Sequence, residues 1–142
     1  MNDHIKEITI NDLKLGDQRV FSKTITEGDI YAFAGITGDF APQHVNAEFA
    51  KTTMFGERIA HGILTTGFIS TALSYLVSPG GLTLSHEFRF LKPVRIGDTI
   101  TAVVTVEEII LEKKRVKVRT QVFNQKDEMV VDGVAVELLR VR

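Results

Sequence analysis

Two side chains that can exchange protons stand five residues apart in one short segment of this chain. The segment is Gly38-Asp39-Phe40-Ala41-Pro42-Gln43-His44, and a proline lies between its carboxylate and its imidazole. Proline fixes its own φ and restricts the residue before it, so the segment can hold both groups near one point. A lone Asp after Gly is more often a turn former, and a lone His beside an apolar run is more often structural. The pairing therefore indicates an acid–base site at Asp39 and His44.

Such a pair suits the addition of water to a double bond conjugated with a thioester. In that reaction a water oxygen attacks C3 as the water loses a proton, C2 receives a proton, and negative charge builds on the thioester oxygen. An unperturbed histidine has a pKa of about 6.5, so it is largely neutral yet basic near pH 7. Asp39 can hold the same water and serve as the partner acid or base. Each such group contributes about 10²–10⁴-fold to a rate.

A second segment offers donors for the negative charge. His61-Gly62 follows His44 by seventeen residues and opens a long apolar run. The first four N–H groups of a helix have no internal partner, and the helix dipole favours negative charge at that end. Gly62 has no side chain to obstruct an approaching oxygen. Its backbone N–H is therefore the predicted oxyanion donor.

The run that follows Gly62 predicts a buried helix over residues 62–77. Residues 59–77 carry no lysine, arginine or acid, but they include His61 and several Thr and Ser residues, and Pro79-Gly80-Gly81 ends the run. A membrane span needs about 20 near-continuously apolar residues, so a span is not expected. A helix that is apolar on nearly all sides is expected in the core of a soluble protein.

The elements around this helix are predicted from periodicity. Residues 18–24 read as extended, a capping box at Thr26 opens a helix, residues 38–44 read as a fixed loop, and Asn46 caps a short helix over 47–52. Beyond residue 82 the hydrophobic period changes to 2, which predicts strands at 82–90, 98–111, 114–123 and 129–141. Their order implies an antiparallel meander wrapped around the long helix. The predicted fold class is α+β, in a single domain over residues 1–142.

Composition narrows the function classes. Seventeen basic and eighteen acidic residues give a net charge of −1, so nucleic acid is not an expected partner. The chain has no cysteine, which excludes disulfides and thiolate nucleophiles, and its polar amino terminus lacks the pattern of a secretory signal. A cytoplasmic location is therefore expected. The four histidines show no i, i+4 spacing and no acidic cluster accompanies them, so a metal site is not expected. No cofactor is expected either.

Three segments resemble the MaoC-like (R)-specific enoyl-CoA hydratases and dehydratases. Residues 38–44 resemble the G-D-x-N-P-x-H signature, and Ile59-Ala60-His61-Gly62-Ile63-Leu64 resembles the segment that leads into the family's central helix. Residues 88–100 resemble the F-x-F-x-x-P-V-x-x-G-D-x-I stretch. The matches run from about Tyr31 to Ile100, and the flanking strands agree in type.

The resemblance implies a hot-dog fold and a homodimer with active sites at the subunit interface. It also implies an acyl-CoA or acyl-carrier-protein substrate and an (R)-3-hydroxyacyl product. By the motif, Asp39 and His44 are catalytic and the Gly62 N–H takes the oxyanion role. Ser70 matches a family serine near the pair, although a hydroxyl bonded back to its own helix is as common a role for such a serine. Ala41 departs from the signature, which has Asn there.

The sequence leaves two other functions open. A hot-dog thioesterase would use an acid to activate water against the thioester carbonyl, and His44 argues against it. A non-catalytic acyl-CoA-binding or assembly subunit would explain Ala41, but such a chain has little reason to keep both Asp39 and His44. One fold hosts several chemistries, so the hydratase hypothesis depends on the pair.

Overall fold

The structure is a computed structural model and describes residues 4–142. In chain order its strands and α-helices are β1 (Gln18–Thr24), α1 (Glu27–Thr37), α2 (Pro42–Val45), α3 (Ala47–Ala50), α4 (Gly62–Val77), β2 (Leu82–Phe90), β3 (Thr99–Ile110), β4 (Arg115–Phe123) and β5 (Met129–Leu138). Short 3₁₀ turns occupy Ile10–Asp12 and Leu111–Lys113. The predicted capping box is confirmed at the start of α1, where Thr26 and Asp29 each bind the other's backbone N–H.

The five strands form one antiparallel sheet in the order β1-β3-β4-β5-β2. The predicted meander is confirmed for β3, β4 and β5, but it is wrong for β2, which pairs with β5 at one edge instead of with β3. The connection over residues 91–98 explains the difference, because eight residues can cross the sheet where a tight hairpin turn cannot. β1 forms the opposite edge through its pairing with β3.

Helix α4 lies against one face of this sheet, as an α+β fold requires. Side chains on β3 and β4 alternate between a buried inner face and a half-buried outer face. The buried side of α4 packs into the same core, with Ile69, Ala72, Leu73 and Leu76 at most 3% exposed. A sheet curled over a helix is therefore confirmed.

One stripe of α4 is not covered. Ile63, Gly67, Ser70 and Ser74 recur at helical spacing and are exposed. The expectation of a helix enclosed on nearly all sides is wrong along this stripe, because the sheet covers the helix from one side. Within residues 4–142, no helix is long and apolar enough to cross a membrane.

One acidic side chain is enclosed beside the core. Glu137 faces inward from β5 and is 1% exposed. The Thr83 hydroxyl of edge strand β2 donates to its carboxylate, at 2.8 Å from Oε1 and 3.0 Å from Oε2. Burial raises the pKa of Glu137, and the hydrogen bond from Thr83 acts in the opposite direction without cancelling the effect.

Glu137 is therefore expected to make stability depend on pH. Because its folded pKa lies above the ordinary value of 4.5, its contribution is fully favourable below that value and is lost as pH rises through the folded pKa. The unfolding free energy of Glu137→Gln, measured by urea denaturation, should rise relative to that of wild type when the pH is raised from about 5 to about 8. The exposed Glu107→Gln is the matched control. An equal difference from wild type at both pH values would contradict the prediction.

Candidate active site

The site begins where helix α1 ends. Gly38 adopts φ +82°, and its N–H donates to the Ala34 carbonyl oxygen at 2.8 Å. Glycine takes this left-handed conformation without steric cost, so the chain turns sharply away from the helix axis. Asp39 follows with an exposed side chain, and its N–H donates to Thr37 Oγ1 at 3.2 Å. The carboxylate thus stands free of the helix that precedes it.

Main-chain bonds of Ala41 connect the two predicted catalytic residues. The Ala41 N–H donates to Asp39 Oδ1 at 3.2 Å, and the Ala41 carbonyl accepts from the His44 N–H at 2.9 Å. At residue 41 both bonds use only backbone atoms. The replacement of the signature's Asn by Ala therefore leaves this part of the site in place.

The segment around His44 is more regular than the sequence predicts. Residues 38–44 read as a loop, but Pro42 begins the one-turn helix α2, and His44 lies on it. Proline is well suited to the first position of a helix, where no N–H is needed and its fixed φ is already helical. Ala41, with ψ 135°, takes the extended conformation that a following proline imposes. The loop prediction was wrong for residues 42–44, and the imidazole is held more firmly as a result.

A backbone carbonyl fixes the tautomer of His44. Its Nδ1 lies 2.8 Å from the Ile59 carbonyl oxygen, and only an N–H can bind such an oxygen. Nε2 consequently carries the lone pair. His44 is 7% exposed and lines a cavity, so one basic nitrogen remains for a ligand.

The cavity beside His44 has a volume of about 570 Å³. This is within the usual range for a small-molecule site. Apolar side chains form most of its wall, among them Met54, Phe55, Ile59, Ile63, Phe90, Leu91, Pro93, Val94 and Val131. The composition suits a thioester with an acyl chain better than a highly charged ligand.

Gly62 reaches the same cavity from the start of α4. It is the first residue of the helix, and no side chain caps this end. A Cβ at this position would lie 2.7 Å from Cε1 of Phe90, so the ring occupies the space that glycine leaves. The structure thus brings the predicted oxyanion donor and the predicted base to one cavity.

Asp39 converges with His44 and with His61. One carboxylate oxygen and one ring nitrogen from each histidine all lie within 4.8 Å of one another. His61, which is distant in sequence, thus joins the predicted pair, and a single carboxylate accompanies the two histidines. The two imidazoles stack with 3.9 Å between ring centroids and planes 28° apart. A site without metal stays a prediction.

His61 is the residue that sequence reasoning missed. The sequence predicts no role for it beyond preceding Gly62, yet it is 2% exposed and contacts both members of the pair. Its Nε2 lies 2.9 Å from the Asp39 carbonyl oxygen, and its ring stacks on His44. A histidine directly before a helix start and close to the acid–base motif is the signal that could have found it.

Ser70 lies apart from this group. It belongs to the exposed stripe of α4, eight residues beyond Gly62, which corresponds to about 12 Å of helix. It does not line the cavity with His44. Its predicted role in substrate binding stays a prediction.

The sequence profile described as "MaoC like domain" matches residues 13–127. An (R)-specific enoyl-CoA hydratase from Rhodospirillum rubrum is 45% identical over 132 residues, which cover 92% of this chain and 91% of the relative. A 3-hydroxybutyryl-CoA dehydratase from Methylorubrum extorquens is 39% identical over 136 residues, which cover 95% of this chain and 86% of the relative.

Solved structures agree with the sequence matches. The unliganded R-hydratase PhaJ1 from Pseudomonas aeruginosa superposes with a TM-score of 0.88 at 37% identity, and the match covers 96% of this chain and 88% of that one. The (R)-hydratase from A. caviae gives a TM-score of 0.86 at 33% identity, over 90% of this chain and 98% of that one. The expected hot-dog fold is confirmed.

Proposed function

The chain belongs to the MaoC-like domain family, and from this premise we propose that it is a hydro-lyase acting on the double bond of trans-2-enoyl thioesters. It adds water to give an (R)-3-hydroxyacyl thioester, or catalyses the reverse dehydration. The observation that carries the proposal is the convergence of the Asp39 carboxylate with the His44 ring, which lines the apolar cavity. His44 is at the cavity wall and the Asp39 carboxylate lies beside it, so the pair can act on a water next to a double bond held in the cavity.

The His44 tautomer defines the first proton transfer. Nε2 holds a lone pair and accepts a proton from water as the water oxygen forms its bond to C3. Asp39 binds the same water and orients it. The pair returns one proton to C2, which restores its starting protonation state and balances the reaction. Addition of both parts from one side of the substrate follows from the use of a single acid–base site.

The N-terminus of α4 provides a hydrogen-bond donor for the negative charge that develops on the thioester oxygen. As the C3–O bond forms, electron density moves to the thioester oxygen, and the Gly62 N–H has no partner within its own helix. Donors held in place before the reaction stabilise such charge without a cost of reorganisation. Hydration by this route needs only proton transfer and hydrogen bonds, and the absence of a cofactor therefore remains our prediction. A cytoplasmic location also remains a prediction.

The decisive experiment mixes the protein with crotonyl-CoA and longer trans-2-enoyl-CoA thioesters. Loss of the enoyl ultraviolet absorbance, without release of thiol, supports hydration, and chiral analysis of the product should give the (R) isomer. Release of thiol without loss of the double bond would instead support the thioesterase. If neither occurs with CoA or with acyl-carrier-protein thioesters, the chain is a binding subunit and the proposal fails.

A homodimer with active sites at its interface is part of the proposal. Edge strand β2 carries exposed apolar side chains, with Leu82 60%, Leu84 45% and Phe90 52% exposed. Long edge strands of this kind promote pairing with another chain. Phe90 also lines the cavity, so a second copy seated on β2 would lie against the cavity wall.

We expect sedimentation equilibrium to give about twice the chain mass of 15.8 kDa. Leu84→Lys should shift the protein toward monomer, because it places a charge on the β2 edge. Val20→Lys, on the opposite edge strand β1, should leave the mass unchanged and serves as the control. A wild-type monomer at all concentrations would contradict the dimer.

A further inference from the structure

His61 contacts both members of the acid–base pair through different parts of one ring. Its Nε2 meets the main-chain carbonyl of Asp39 at 2.9 Å. Its face stacks on His44 with 3.9 Å between ring centroids. The Phe33 ring lies 4.6 Å from it at an angle of 52°, so His61 is packed on more than one side. No other ring among the described residues stacks on His44.

The two histidines hold opposite tautomers. A carbonyl oxygen accepts only, so His61 carries its proton on Nε2, whereas His44 carries its own on Nδ1. The lone pair of His61 is therefore on Nδ1, which is buried and has no hydrogen-bond partner among the described residues. Buried polar atoms without a partner are rare in folded proteins.

The unpaired nitrogen bears on why a histidine stands at this position. A phenylalanine ring is larger, but it would also stack on His44 and would not leave a buried acceptor unpaired. Histidine adds an Nε2–H donor that a carbon ring lacks, and this donor binds the backbone carbonyl oxygen of Asp39. The contact with the main chain of Asp39 thus points to a need to place that residue.

The stack on His61 restricts a rotation of the His44 ring that the hydrogen bond from Nδ1 does not restrict. The torsion about the Cβ–Cγ bond of histidine has broad minima, so the bond from Nδ1 to Ile59 fixes one edge of the ring but not its plane. A flat neighbour at 3.9 Å fixes the plane. The direction of the Nε2 lone pair, and hence the position of the water it binds, follows from both contacts.

We propose that His61 is a positioning residue that sets Asp39 and His44 relative to each other without touching the substrate. This inference rests on the proposed function, since the pair it positions is the proposed acid–base pair. Reacting groups must be held in a narrow range of geometry, and a displacement of about 1 Å can cost about 10²-fold in rate. We expect His61 to act on kcat, because it does not line the cavity that is proposed to hold the acyl chain.

Two variants separate the two contacts. His61→Phe keeps a flat ring on His44 and removes the donor to Asp39, whereas His61→Gln keeps an N–H donor at similar reach and removes the stack. We expect kcat for enoyl-CoA hydration to fall about 10–100-fold in each, with KM changed less than about 3-fold. His4→Gln, at an exposed position, is the control for the loss of a histidine.

Nitrogen-15 NMR of the histidine rings gives a readout that does not depend on activity. Wild type should show His44 as the Nδ1–H tautomer and His61 as the Nε2–H tautomer, and His61→Gln should broaden the His44 signals as its ring gains freedom. Folded variants with wild-type kcat, or a wild-type His61 in the Nδ1–H form, would overturn the inference. If the wild type hydrates no enoyl thioester, the proposed function fails, and the NMR result alone decides whether His61 positions His44.

Discussion

Replacing Asp39 with asparagine or His44 with glutamine should remove most of the hydration rate. We expect kcat/KM to fall about 10²–10⁴-fold in each variant, because each change removes a group that is proposed to exchange or orient a proton in the transition state. Asparagine keeps the size of Asp39 and an oxygen that can accept from the Ala41 N–H. Glutamine can keep one polar contact of His44 but has no nitrogen lone pair basic enough to accept a proton. The assay is initial-rate hydration of crotonyl-CoA.

The pair is expected to act as a unit. The double variant should lose little more activity than the more damaging single change, because either group alone cannot complete the proton cycle. Asp127→Asn is the matched control, since Asp127 is exposed and its φ of 58° suits asparagine. Circular dichroism and thermal unfolding establish that each variant is folded. Folded single variants with near-native rates would show that the roles are assigned to the wrong residues.

The second large effect on the hydration rate is expected for Gly62→Pro. This substitution removes the backbone N–H of residue 62 but is compatible with helix α4. Gly62 is the first residue of α4, the position that tolerates proline best. His61, with φ −58° and ψ 134°, already has the conformation that a residue before proline adopts. Gly62→Pro should therefore fold and should lose the proposed oxyanion donor.

Gly62→Ala separates the loss of the N–H from the added carbon. Both variants place a Cβ close to the Phe90 ring, which is half exposed and has room to move. Only the proline variant lacks the donor, so its kcat should be about 10²–10³-fold below that of Gly62→Ala. Steady-state kinetics on one enoyl-CoA measures the ratio. Equal kcat values in the two folded variants would place the oxyanion donor elsewhere.

Features that depend on local chemistry could be predicted from the sequence. Helix α4 begins at Gly62 and ends at Val77 as predicted, because an uncharged run stopped by Pro and Gly has clear limits. Strand β2 also has the predicted bounds. The meeting of Asp39 with His44 could be predicted because both lie on one stiff segment of a few residues.

Features that depend on distant parts of the chain could not be predicted. The pairing of β2 with β5 joins Leu82 to Leu138, and nothing in either strand specifies that partner over β3. The stacking of His61 on His44 likewise requires α4 and α2 to meet. The short helix at Pro42 could not be predicted for another reason: proline disfavours a helical conformation in the residue before it, but it also suits the first position of a new helix.

The main-chain bonds of Ala41 have a consequence for how this enzyme can change. Because the backbone of residue 41 connects Asp39 and His44, these two hydrogen bonds do not depend on the side chain at that position. Mutation at this position can alter the polarity beside the reacting atoms while the architecture of the site persists. Substitutions at position 41, in evolution or in a directed library, are therefore well suited to changing the acyl substrate while the fold stays the same.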